Sequence, residues 1–258
     1  MKVALAVLLG LLLLAGVFLP AFYLRATADL PPIDTEYDIE RGLRTAIEGE
    51  RRALRKVMGV APETLAWPRP SLALLPRELV LLFVSQSGCP NYFQTSRESH
   101  LAWTWRALNA HVLKRPLGGA DDACDWRFAG HIAMQMRISN RLQRSIATHR
   151  IRAALQRDQL VAYDLMALPI EPGYFGVTDA AELLLHKKLE DLSLAALAEL
   201  ALAMPPNRFY EDVRSCQNPI LLRKARDRML SRMADAGILT PERAKQAQAQ
   251  PLGCDQPF

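Results

Sequence analysis

Chemistry-bearing side chains collect in one stretch of the chain. Residues 137–157 hold Arg137, Arg141, Arg144, Arg150, Arg152 and Arg157, with His149 and no acid among them. A guanidinium is a planar fork of N–H donors that matches two phosphate oxygens at once. Arg137, Arg141 and Arg144 are spaced i, i+4, i+7, which places them on one face of a continuous helix. That spacing predicts a site for pyrophosphate or anionic lipid. The competing reading is a solvated basic face, paired with acids elsewhere such as Asp121, Asp122 and Asp125.

A second place is the turn "SQSGCPNYF" at residues 85–93, which follows an apolar run at residues 79–84. Enzymes often set chemistry just past the end of a buried helix. Yet this turn carries no carboxylate, histidine or lysine. His131, His100 and His111 are each isolated and read as structural residues rather than catalysts. Nothing in the sequence forms a metal constellation or a cofactor motif, so neither a metal nor a cofactor is expected. The four cysteines, Cys89, Cys124, Cys216 and Cys254, contain no C-x-x-C pair. They permit two disulfides in three pairings, or buried free thiols.

The elements that must position these residues are helical. Half of the 258 residues are apolar and 23% are charged, which is a globular composition. The net charge of +5 suits an anionic surface or a phosphorylated substrate and is too small to argue for nucleic acid. Residues 3–24 are free of charge, long enough to span roughly 30 Å of hydrocarbon. They read as an uncleaved anchor, with a signal peptide ending at Ala26-Thr27-Ala28 as the alternative. The expectation is a single-pass protein of the cytoplasmic (inner) membrane, with its folded domain outside the cytoplasm. Residues 1–25 form the anchor, 26–70 a linker and charged helical arm, 71–250 the main domain and 251–258 a tail.

Within the main domain, residues 77–84 read as a short buried helix. Leu101, Trp105, Leu108 and Val112 have helical spacing. The stretch "RPLGGADDAC" reads as a loop, followed by one basic helical stretch over residues 125–155. Thr178 or Asp179 can cap the next helix, Ser193 the one after, and Thr240-Pro241-Glu242 starts the last. Gly237 fits a helix C-terminus. No strand signal is evident, and the fold class is all-α.

The stretch "GYFGVTDAAELLLHKKLEDLSLAALAELALAMPPNRFY" carries Gly173, Gly176, Ala180, Ala181, Asp191, Leu192, Ser193, Leu194, Pro206 and Tyr210. Beyond it come Asn218, Pro219, Arg226, Leu230, Met233, Gly237 and Ile238. This pattern resembles the second half of glycosyltransferase family 51, the peptidoglycan glycosyltransferases, over about residues 75–250. The resemblance implies an all-α, lysozyme-like domain that polymerises lipid II, a disaccharide-peptide carried on a polyprenyl pyrophosphate. It also implies a glutamate base, a second glutamate near the pyrophosphate, and polar and cationic contacts between them.

The same resemblance marks what is missing. With Phe93 as the motif phenylalanine, the base position falls on Cys89 and the second glutamate on Arg152. An unpaired thiol, with an ordinary pKa near 8.5, is a poor substitute for a carboxylate base. The middle motif keeps Gln135 and Asn140, Arg144 matches a contact position, and His131 replaces a serine. The resemblance therefore implies no catalytic residue. It leaves Gln135, Arg137, Asn140, Arg141 and Arg144 as the phosphate- or glycan-binding candidates. General acid–base catalysis alone contributes roughly 10²- to 10⁴-fold, so little polymerisation should survive. The expected function is a degenerate, family-51-like pseudoenzyme that binds lipid II, anionic lipid or cell-wall assembly proteins at the membrane. The alternatives are an active divergent transferase, using Glu98 or an aspartate of the 121–125 loop, and a purely structural scaffold.

Overall fold

The computed structural model describes residues 18, 21, 23–25, 27–58, 70–94, 120–204 and 209–253, without the side chains of 120–122. The described part is helical apart from one small hairpin, as the periodicity implies. The arm is helix α1, Glu36–Met58, which turns Ile39, Leu43 and Ile47 inward on a helical repeat and leaves its charges outside. A 3₁₀ turn, Leu72–Leu74, leads into α2, Arg77–Gln86, whose Leu79, Leu82 and Phe83 are buried.

Two helices stand where the sequence suggests one. Helix α3 spans Ala120–Gln135 and α4 spans Arg141–Ala154. The break has a local cause. Arg137 adopts the left-handed conformation (φ 59°), and the Asn140 side chain caps α4 by accepting the N–H groups of Leu142 and Gln143. Residues 120–124, expected in a loop, form the first turn of α3.

Helix α5, Arg157–Ala167, is buried along most of its length. A hairpin follows, β1 Pro169–Glu171 antiparallel to β2 Tyr174–Phe175, where no strand is evident from sequence. Gly176 starts α6, Gly176–Leu185, at φ 81°, and a Cβ there would press into the Met166 carbonyl. Neither Thr178 nor Asp179 is the cap of α6. Asp179 instead reaches back to accept the Phe175 N–H at 2.8 Å. Ser193 caps α7, Leu194–Ala203, as expected. Helices α8, Tyr210–Ser215, and α9, Pro219–Asp235, follow. Gly237 closes α9 at φ 69°, and Thr240 caps α10, Pro241–Gln248.

The expected membrane anchor, and with it the single-pass inner-membrane location, is corrected. No helix among the described residues is long and apolar enough to cross a membrane. Residues 1–17, 19, 20 and 22 of that apolar run lie outside the described residues, as do Glu98, His100, His111, Trp103 and Trp105.

Candidate functional site

The turn after α2 is closed covalently. Gly88 turns the chain at φ 76°, and Cys89, fully buried, is disulfide-bonded to Cys124 in the first turns of α3, with Cα atoms 6.3 Å apart. A disulfide sulfur has no proton to give and no thiolate to take one. The residue that the resemblance aligns with a base is thus a structural cross-link here. Closing a 35-residue separation restricts the unfolded chain and contributes about 2–4 kcal/mol. The Arg127 guanidinium donates to the Ser87 carbonyl, and Tyr92 packs edge-on against Phe128 at 5.2 Å. Cys216 is also disulfide-bonded, and no free cysteine occurs among the described residues.

Behind the turn lies a buried charge cluster. Asp125 of α3 accepts the Tyr92 hydroxyl at 2.6 Å. Its oxygens stand 3.3 Å from Arg157 Nε and 3.6 Å from Arg152 Nε. Arg157 also donates to the Tyr92 carbonyl at 2.8 Å and lies over the Tyr92 ring, while Arg152 lies over Trp126. Asp125 therefore pairs with the basic stretch, as the competing reading anticipates, but inside the protein rather than on a solvated face. Arg152, at the second glutamate position, belongs to this cluster and is 2% exposed.

The other candidates sit around the break between α3 and α4. Arg137 lies in the break, not on α4, so the single-face arrangement of Arg137, Arg141 and Arg144 is corrected. The i, i+4, i+7 count runs through a left-handed residue. Arg137 pairs with Glu50 of α1. Arg144 donates to the carbonyls of Ile138 and Ser139, which braces the break from within. Asn140 is a helix cap. Gln135 donates to Asp164 at 3.3 Å. Arg141 is exposed and has no polar partner among the described residues. Of the five predicted contact residues, it alone offers a cation unengaged by the described residues.

Sequence reasoning missed Asp164, whose partner is distant along the chain. This aspartate of α5 is fully buried and meets His131 Nδ1 at 3.0 Å. Burial acts to lower the His131 pKa, but the hydrogen bond and charge of Asp164 outweigh it, and the net direction is upward. Burial raises the Asp164 pKa, and His131 and Gln135 offset this only in part. Both shifts mean that the folded state binds more protons than the unfolded chain. Stability carried by His131 is complete below its ordinary value of about 6.5 and is lost as pH rises through the higher folded value. Unfolding free energy should therefore fall as pH rises above about 6.5, and His131→Gln should flatten that fall in urea titrations at stepped pH.

Among the described residues, no group of three or more His, Cys, Asp or Glu side chains is placed to hold a metal ion. Compared with known proteins, the chain matches no family model and no curated protein.

Proposed function

We propose that this chain is a glycosyltransferase-51-like pseudoenzyme, which holds lipid II through its pyrophosphate, or a cell-wall assembly protein, without polymerising glycan. The observation that supports this most is the burial of Cys89 in a disulfide at the position where the resemblance calls for the base. Arg152 at the second glutamate position adds to it, because a guanidinium paired with Asp125 does not act as a carboxylate. Arg141 is the cation best placed to meet a phosphate, since the neighbouring arginines already serve the fold. A scaffold reading also draws support from those internal contacts, because they leave few groups for a ligand.

One experiment separates the readings. The full-length protein in detergent is incubated with labelled lipid II, and polymer and bound lipid are measured together. The expected result is bound lipid, no glycan chains, and binding weakened several-fold by Arg141→Ala. Glycan chains would overturn the proposal and point to a replacement base such as Glu98. Neither polymer nor binding would leave the scaffold reading in its place.

A further inference from the structure

Among the described residues, the outer face of α9 gathers several unpaired cations on one helix. Several other surface arginines meet carboxylates: Arg44 pairs with Glu40, Arg150 with Asp34 and Arg243 with Glu78. On α9, Lys224, Arg228 and Arg232 are exposed and have no ion pair or hydrogen bond among the described residues. Asp227 pairs with Arg226, and Asp235, exposed in the last turn, lies within the same face but forms no ion pair among the described residues, which leaves the face with three cations and one acid.

Two adjacent aliphatic residues stand at the start of this face. Ile220 is 82% exposed and Leu221 52% exposed, side by side in the first turn. At about 100° per residue, Ile220, Leu221, Lys224, Arg228 and Arg232 share an arc of about 120°. Leu222, Arg226, Leu230 and Met233 occupy the opposite, buried side. Beside the apolar tip runs an open groove of about 700 Å³, lined by Pro219, Ile220, Arg223, Lys224 and Asp227.

A solvated basic face gains nothing from two bare aliphatic side chains at its end. An acidic protein surface would cover the aliphatics only if it also presented an apolar patch beside its carboxylates. Anionic lipid satisfies both, because phosphates lie just above hydrocarbon and a basic helix with an apolar edge rests at that boundary. We propose that the outer face of α9 docks peripherally on an anionic phospholipid surface, with Ile220 and Leu221 entering the headgroup layer and Lys224, Arg228 and Arg232 meeting phosphates. This surface is separate from the Arg141 region, and the inference stands or falls independently of lipid II binding.

The test uses the full chain with two kinds of vesicle, phosphatidylcholine alone and phosphatidylcholine with about one-third phosphatidylglycerol. The readout is the ratio of partition onto the two, in which any composition-independent contribution of the apolar N-terminal residues cancels. The unmutated chain should favour the anionic vesicles, less so as salt rises. Each cation near such a surface is worth about a five-fold change in partition, so Lys224→Glu with Arg228→Glu should lower the ratio by more than ten-fold. The uncharged change Ile220→Ser should also weaken binding to the anionic vesicles. All three positions are exposed, so circular dichroism should show the fold intact. An unchanged ratio in the double variant would overturn the proposal. So would a loss in that variant with none in Ile220→Ser, because the apolar tip would then play no part and the partner would be a general anion.

Discussion

Replacing Asp125 with Asn should destabilise the protein by about 3–5 kcal/mol, the usual consequence of removing one partner from a buried ion pair. Asp125 is fully buried between Arg152 and Arg157, which are themselves 2% and 13% exposed in their side chains. Two guanidinium groups already share one carboxylate there. The amide keeps the shape and can still accept the Tyr92 hydroxyl, but it removes the negative charge opposite both cations. Typical domains unfold with 5–15 kcal/mol, so the loss would be a large fraction of the total. Urea unfolding followed by tryptophan fluorescence measures it. The double variant Asp125→Asn with Arg157→Gln should recover part of the loss, which distinguishes lost charge pairing from lost packing. A loss below about 1 kcal/mol for Asp125→Asn would show that the arginines do not depend on this carboxylate.

That cluster bears directly on function. The basic stretch reads as an anion site only while its positive charge is available to a ligand. In the folded protein Asp125 is the anion that Arg152 and Arg157 meet, Glu50 meets Arg137, and backbone carbonyls hold Arg144. On the proposed reading, Arg141 would be the first cation that a phosphate meets. The disulfide acts in the same direction, because Cys89 and Cys124 fasten the turn after α2 to the helix that carries Asp125. The disulfide and the buried ion pairs together brace the turn after α2 against α3.

How much of this was legible follows from the range of each interaction. Helix class was legible because its signals are local: apolar repeats, Ser193 and Thr240 as caps, and Gly237 as a terminator. The α3–α4 break was legible in part, since Asn140 is a strong capping residue. The left-handed Arg137 beside it was not, because nothing local demands that conformation of an arginine. The hairpin at Pro169–Phe175 has only three and two residues in its strands, too few to show alternation. The pairings of Cys89 with Cys124 and of His131 with Asp164 join residues 35 and 33 positions apart. Tertiary packing decides such partners, and the sequence fixes only the set to choose from. Arg226, Leu230 and Met233 recur at helical spacing because all three are buried on one side of α9.

Arg226 supplies the second large expected effect, and it concerns the fold alone. Its side chain and that of Glu199 are both fully buried, 3.0 Å apart. The guanidinium also donates to the carbonyls of Gln248 and Pro251, while Glu199 accepts the Gly253 N–H at 2.8 Å. One arginine thereby ties α7, α9 and the chain after α10 together. Arg226→Met should cost about 3–5 kcal/mol, because Glu199 would keep a buried charge with its main partner gone. Arg226→Lys should recover only part of the loss, since one ammonium replaces a planar fork that reaches two carbonyls and the carboxylates of Glu199 and Asp227 at once. Arg226→Met with Glu199→Leu should be markedly more stable than Arg226→Met alone, because the double change removes both charges from the interior. If the double variant is no better than the single one, the arginine acts through its backbone carbonyl bonds rather than through Glu199. Thermal unfolding of the three variants decides between these, and none of them touches Cys89, Arg141 or the outer face of α9.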